Sequence, residues 1–164
     1  MGQNRLAAIF CAVLFLLASA PAGAFVGHVY YFVGRTEVGM TFIDSQSLQD
    51  AGHLKSAWVL WVYVPEKRDR RKKVQYALER DLFDCKARTL GVSSVYSYDA
   101  SRRLLWDSDF SGKQFPVAPE SISDTLMDAA CKRLVLHPDQ PYPDIDKAIA
   151  YTKFTIAKFP HLHP

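Results

Sequence analysis

The sequence predicts a protein of the α+β class. β-rich apolar stretches dominate residues 29–106, a segment with helical spacing follows at residues 121–134, and an even pair of cysteines remains beyond the first 24 residues. A run of strands followed by a helix is typical of this class. The two cysteines could fasten that helix to the strands.

Residues 1–24 have the pattern of a secretory signal peptide. A single Arg precedes an apolar run from Leu6 to Ala20, and Ala22-Gly23-Ala24 matches a small-x-small cleavage site. The run is shorter than the roughly 20 residues that a spanning helix needs, so an uncleaved membrane anchor is the weaker alternative. Cleavage leaves 140 of the 164 residues, enough for one domain with a core. Its 19 basic and 17 acidic residues point to no polyanion partner for the whole chain.

Cys85 and Cys131 form an even pair in a chain that is expected to be exported. Oxidising compartments favour disulfides, so the pair predicts a Cys85–Cys131 bond. Two alternatives stay open at this point. A zinc site would need two more ligands, and the usual close spacing of Cys and His is absent. A thiol nucleophile would need a base, and no His lies within twenty residues of Cys85, although the fold could bring one near.

The first strand-like stretches, HVYYFV and TEVGMTFI, flank Gly34-Arg35 and predict two strands, or one bent strand with a bulge. DSQSLQDAG then predicts a turn or a short helical turn. The stretch SAWVLWVYVP is the strongest strand signal, because both of its faces are apolar. It predicts a central strand that is covered on both sides, with pairing ended by Pro65.

Residues 74–85, VQYALERDLFDC, fit a strand or a helix, and periodicity leans slightly toward the helix. SSVYSYDASRRLLWDSD predicts a hairpin around an Asp-Ala-Ser turn. From Ser121 onward apolar residues recur at helical spacing, and Asp124 lies where a capping partner would. This helix would carry Cys131 on or beside its buried face. The last residues predict a proline-rich extended linker and a short amphipathic helix.

Several stretches together resemble the surface-adhesin protein E family of exported bacterial proteins. These are FIDSQSL, AWVLWVYV, LFDCKART, SSVYSYD, RLLWD and VAPESISDTLMDAAC, which span about residues 29–134. The resemblance implies an α+β fold with an antiparallel sheet of about six strands and a C-terminal helix disulfide-bonded to it. It also favours a strand for residues 74–84. Relatives in this family are non-enzymatic binders of host matrix proteins such as vitronectin and laminin.

The sequence therefore predicts three parts. Residues 1–24 are the signal peptide, residues 25–134 are an adhesin E-like domain, and residues 135–164 are a linker with a short helical tail. The tail continues beyond the stretch that resembles the family.

A basic run from residue 67 to 73 is the candidate binding site, with six cations in seven residues. They are Lys67, Arg68, Arg70, Arg71, Lys72 and Lys73. The simpler interpretation is a solvated loop between two strands that also protects the sheet edges. The functional interpretation is contact with a polyanion, which Arg102 and Arg103 could extend if their hairpin lies alongside.

Other candidate residues are more typical of structural roles. They are the tryptophans Trp58, Trp61 and Trp106 as a stacking face, His161 and His163 as metal ligands, and Asp81, Asp84, Asp107 and Asp109 as paired carboxylates. Aromatic residues in strands mostly pair across the sheet, and a terminal His pair is a poor metal site. The sequence has no nucleotide-binding loop and no serine-hydrolase elbow. We therefore expect no catalytic residue, metal, cofactor or nucleic-acid partner.

The resulting prediction is an exported, non-enzymatic binding domain in the periplasm or on the outer surface of a Gram-negative bacterium. Its expected partners are extracellular matrix proteins or sulfated glycans. One alternative is an envelope enzyme that would use Asp with His28, His53 or His137. The other is an accessory subunit that docks on an envelope protein through its C-terminal tail.

Overall fold

The computed structural model describes residues 27–132, 136 and 141–159. The predicted signal peptide, most of the proline-rich linker, and His137, His161 and His163 lie outside these ranges. Neither helix within them has the length and hydropathy that a membrane-crossing helix requires.

Within the described residues, nine strands form one antiparallel sheet in the order β7-β6-β5-β4-β2-β1-β9, with β3 paired to β4 and β8 paired to β6. The strands are β1 (Tyr30–Thr36), β2 (Gly39–Asp44), β3 (Gln49–Ala51), β4 (Leu54–Asp69), β5 (Lys72–Asp84), β6 (Thr89–Tyr98), β7 (Leu104–Asp109), β8 (Phe115–Pro116) and β9 (Pro141–Tyr142). A 3-10 turn, Ser45–Ser47, follows β2. The helices are α1 (Ile122–Ala130) and α2 (Ile145–Lys158).

The α+β class is observed, but the expected number of about six strands is wrong. Six strands are long enough to show an alternation of side chains. The other three, β3, β8 and β9, have only two or three residues each. Such short strands form because a neighbouring strand offers backbone groups that are free to pair. They are too short to show an alternation of apolar and polar residues, so the sequence does not predict them.

The first hairpin turns later than the sequence indicates. β1 continues past Gly34-Arg35 to Thr36, with a bulge between Phe32 and Gly34, and the turn lies at residues 37–38. A bulge bends a strand without ending it, so the glycine marks an irregularity inside one strand.

Residues 72–84 form β5, in agreement with the strand that the family resemblance favours. β5 pairs with β4 on one side and with β6 on the other. The periodicity of this segment leans toward a helix, but pairing on both edges satisfies its backbone groups as a strand.

β4 is the central strand, and both of its faces are covered as predicted. Ala57 and Val59 pack in a core cluster with α1, on what we call the α1 face of the sheet. Leu60 and Val62 pack in a second cluster with α2, on the α2 face. Pairing with β5 is interrupted between Val62 and Lys67, around Pro65, and then resumes to Asp69.

Helix α1 is fastened to the sheet by a disulfide and by ion pairs. Cys85, just after β5, is bonded to Cys131, just after α1, with 5.7 Å between the Cα atoms. The Arg88 guanidinium pairs with Asp124 and Asp128 of the helix. The Ser121 Oγ accepts a hydrogen bond from the Asp124 backbone N–H at 3.1 Å, the predicted N-cap.

Helix α2 packs on the opposite face through small residues and aromatic rings. Ala148 and Thr152 are fully buried against the sheet. The ring of Tyr142, in β9, contacts Phe42 and Tyr151 at centroid distances of 5.3 and 4.9 Å. Residues 141–158, predicted to be linker and tail, therefore contribute one edge strand and one helix to the packed body.

Candidate functional site

The six cations of the basic run lie at the tip of the long β4–β5 hairpin, which we call the basic hairpin. Its turn is Arg70-Arg71, between the paired residues Asp69 and Lys72. Both arginines have positive φ, 46° and 65°, as the central residues of a type I′ turn require. The sequence predicted a loop between two strands, and the structure narrows it to a two-residue turn.

Contacts with its own strand and with β7 hold the basic hairpin in place. The Arg70 guanidinium lies 4.6 Å from the Trp106 ring centroid, and Lys72 Nζ donates to the Leu105 carbonyl at 2.9 Å. Lys67 Nζ lies 5.3 Å from the ring centroid of Tyr63 on the same strand. The cations are thus presented by a braced hairpin.

Two cations of the basic hairpin remain available for a partner. Among the described residues, Arg68 and Arg71 form no ion pair, whereas Lys73 lies 3.6 Å from Glu66. The group therefore keeps most of its positive charge.

The β6–β7 turn, which carries Arg102 and Arg103, lies beside this hairpin, which is the condition under which these arginines could extend the basic run. A cavity of about 540 Å³ between the two turns is lined by Lys72, Lys73 and Arg103 as well as by Glu66 and Asp99. Arg103 pairs with Asp99 at 2.9 Å. Arg102 pairs with Asp146 of α2. These arginines extend the basic surface in space, but acids partly neutralise them.

The three tryptophans do not share one face. Trp61 and Trp106 lie in one cross-strand row on the α1 face, separated by Ala77 and Ser97. Trp58 belongs to the opposite set of β4 residues. A single stacking platform made of all three is therefore excluded by the register.

Two acidic residues of β5, one buried and one half-buried, lie on the α1 face. Asp81 is 2% exposed, and Glu79, two residues earlier, is half-buried. Burial raises the pKa of both carboxyl groups, most strongly that of Asp81. Asp84, Asp107 and Asp109 do not join them. Asp84 accepts hydrogen bonds from backbone N–H groups of the next turn, and the other two are exposed.

Glu79 was missed by the sequence analysis. The available signal was strand alternation, since a strand over residues 74–84 places Ala77, Glu79, Asp81 and Phe83 on one face. Periodicity alone leaves strand and helix open for this segment, so it does not indicate that Glu79 shares a face with Asp81.

Beside these acids lies a groove of about 760 Å³, which we call the apolar groove. Its floor is formed by β5 and β6, one wall by residues 110–118 and the other by the start of α1. The lining includes Glu79, Leu90, Val92, Val95, Phe110, Lys113, Phe115, Ser121 and Ser123. A bulge in β6 pairs Val92 with Asp81 and Val95 with Glu79, so two valines three positions apart both face the groove.

Glycines fix the outer wall of the groove. A Cβ atom on Gly91 would lie 2.5 Å from the Gly112 carbonyl oxygen and 2.6 Å from the Gln114 side chain, so the wall packs directly on the backbone of the floor. Gly112 itself has φ +66°, which glycine adopts without strain. The groove is therefore built into the fold.

The histidines give limited support to the enzyme alternative. His28 Nδ1 lies 2.6 Å from Asp44 Oδ2, but the His28 side chain is 67% exposed. Asp44 is buried and also accepts hydrogen bonds from the backbone N–H groups of Val29 and Gln46. This carboxylate organises the end of β2. His53 is exposed in a turn, and the described residues hold no cluster of three metal-binding side chains.

Comparisons with known proteins identify a family and similar solved structures. The family model described as surface-adhesin protein E matches residues 30–132. Crystal form II of Haemophilus influenzae protein E is similar, with a TM-score of 0.40 and 11% identity, over 57% of this chain and 80% of that chain. A search of curated proteins found no match.

Proposed function

This chain belongs to the surface-adhesin protein E family, and on that basis we propose that it is an exported, non-enzymatic binding protein whose basic hairpin contacts polyanionic groups. The partners we propose are extracellular matrix proteins and sulfated glycans.

The braced geometry of the basic hairpin is the observation that carries this proposal. Its turn is held by the stacking of Arg70 on Trp106, while Arg68 and Arg71 have no ion pair among the described residues. Guanidinium groups match the geometry of sulfate and carboxylate oxygens, and an ordered turn loses less side-chain freedom on binding. Because exposed charges are screened by salt, the interaction should weaken as ionic strength rises.

The test is binding of the purified mature protein to immobilised heparin and to matrix proteins. We expect the triple variant Arg68→Gln, Arg71→Gln, Lys73→Gln to bind about fivefold more weakly, since exposed cations contribute about 0.3 kcal/mol each. The matched control is Lys147→Gln, Lys153→Gln, Lys158→Gln, which removes the same charge from exposed positions of α2. If both variants lose the same affinity, the effect comes from net charge and not from the hairpin. If neither loses affinity, the basic hairpin is not the binding site.

Export is part of the same proposal. The sequence pattern of residues 1–24 supports cleavage after Ala24, which would make Phe25 the first residue of the mature chain. Cell fractionation with and without surface protease, combined with N-terminal sequencing of the mature protein, tests this. An intact N-terminus in the cytoplasmic fraction would contradict it.

The accessory-subunit alternative is favoured by one observation on α2. Phe154 is 60% exposed on the outside of this helix, where a partner protein could cover it. Truncation is a poor test because Ala148 and Thr152 are core residues. The better experiment is co-purification with Phe154→Ser. A partner that is retained by this variant does not dock at this position.

A further inference from the structure

The apolar groove plays no part in the polyanion proposal, and it has the features of a ligand site. Its volume of about 760 Å³ is in the range of small-molecule sites, which typically measure roughly 300–1,000 Å³. We propose that it binds a small molecule with an aromatic body and one amine, the amine pairing with the carboxyl of Glu79.

The charge at the floor of the groove determines the sign of the charge on the ligand. Of the described residues that line it, Glu79 and Lys113 are the charged ones. Lys113 is exposed, and its Nζ lies 5.2 Å from the ring centroid of Phe115, on the outer wall. The carboxyl of Glu79 thus remains at the floor between Val59 and Val95, its partners in the register.

Asp81 gives the second, independent observation. It is 2% exposed, and within the described ranges its Oδ1 has no hydrogen-bond partner. It pairs in register with Ala57 and Val92, so its surroundings are apolar and adjacent to those of Glu79. Neither carboxyl forms an ion pair with any described residue. Burial raises the pKa of Glu79, and neighbouring Trp61 and Lys67 oppose that shift without forming an ion pair with it. An ammonium group in the groove would therefore be the first ion-pair partner of Glu79.

The walls determine the apolar part of the ligand. Phe110 and Phe115 are 53% and 57% exposed, which is high for phenylalanine residues beside a concave site. An aromatic body placed against them would bury these rings and its own surface. Because the wall touches the floor at Gly91 and Gly112, the groove needs little rearrangement to accept it.

The test uses two probes of nearly equal shape and opposite charge, tryptamine and indole-3-propionate. Isothermal titration calorimetry on the full mature chain should give an affinity for tryptamine at least about tenfold higher than for the acid. Glu79→Gln should abolish this preference. Asp81→Asn should reduce it, and Lys153→Gln, which removes a cation from the exposed side of α2, should leave the binding of tryptamine intact.

Circular dichroism of each variant verifies that it folds, and Val95→Phe, which fills the groove, should block both probes without touching the acids. The proposal is overturned if neither probe binds at millimolar concentration, or if both bind equally. It is also overturned if Glu79→Gln keeps the preference, or if sedimentation shows that a second copy of the chain covers the groove. The triple variant of the basic hairpin should bind tryptamine normally, so failure of either proposal is distinguishable from failure of the other.

Discussion

The two faces of the sheet are covered by helices that are held in different ways. Helix α1 has nine residues and is joined to the sheet by the Cys85–Cys131 disulfide and by Arg88. Helix α2 has 14 residues and no covalent link to the sheet. It is held by buried Ala148, by aromatic contacts and by a hydrogen bond of 2.7 Å that the Arg35 guanidinium donates to the Phe159 carbonyl. Helices shorter than about 12 residues are marginal alone, so the shorter helix has the covalent support.

The same comparison explains where a ligand could bind. Contacts of α1 with the sheet concentrate on β1, β2 and β4. The β5–β6 part of this face is left to Glu79, Val92 and Val95, which become the floor of the apolar groove. A short helix that a disulfide joins to the sheet can leave part of that sheet face uncovered and still remain packed on it.

Removing the disulfide should have the largest effect. The bond closes a span of 46 residues, and the chain-entropy model assigns such a span roughly 4 kcal/mol. We expect Cys85→Ser with Cys131→Ser to lower the free energy of unfolding by about this amount, measured by urea denaturation. Unfolding curves that coincide for wild type and variant would show that noncovalent packing alone holds α1.

A charge buried beneath α2 should detach this helix from the sheet, and it should lower the free energy of unfolding by less than loss of the disulfide does. Ala148 is fully buried in the cluster beneath this helix, so Ala148→Asp should destabilise by about 3 kcal/mol. The matched control is Ala150→Asp, on the exposed side of the same helix, with an expected change within about 0.5 kcal/mol. Limited proteolysis should cut residues 141–159 first in Ala148→Asp. Equal stability of the two variants would mean that α2 does not pack as described.

The cap of α1 should contribute less. Ser121→Ala removes the oxygen that accepts from the Asp124 N–H and should cost about 1 kcal/mol in thermal or urea unfolding. The control is Ser123→Ala, at the second residue of the helix, and it should leave the free energy of unfolding nearly unchanged. If both substitutions cost the same, the cap does not define the start of this helix.

The last effect is a pH dependence of stability that should originate from Asp81 on the α1 face. Because burial raises the pKa of Asp81, the folded protein keeps this proton at pH values where the unfolded chain has lost it. Its contribution to stability therefore falls as the pH rises from about 4, the ordinary Asp pKa, to the raised value. Asp81→Asn should flatten this part of the stability–pH curve and have its largest stabilising effect above it. A variant curve parallel to that of the wild type would contradict the raised pKa.

Much of the fold could be predicted because it rests on local patterns. The β4 stretch is apolar on both faces, the helix after Ser121 has a cap and a clear period, and the even cysteine pair indicates the disulfide. The basic hairpin is visible as a charge run. Its bracing by Trp106 is not, because that contact joins residues 36 positions apart.

The apolar groove could not be predicted, for a physical reason. Its floor depends on a bulge in β6 that turns Val92 and Val95 to the same side, and on a segment after β7 that closes over Gly91. Neither feature leaves a periodic signal. The acid pair of the floor becomes visible only after the segment 74–84 is known to be a strand.

The position of the disulfide also has a mechanical consequence. A chain that is attached to a cell at one end and to a partner elsewhere can be placed under tension by fluid flow. The bond closes off the span from Cys85 to Cys131, which contains β6, β7, β8 and α1, so tension along the backbone passes through the sulfur atoms. At roughly 3.5 Å per residue, about 160 Å of potential extension is withheld. The β6 floor and both walls of the apolar groove lie inside this span, whereas Glu79 on β5 lies outside it.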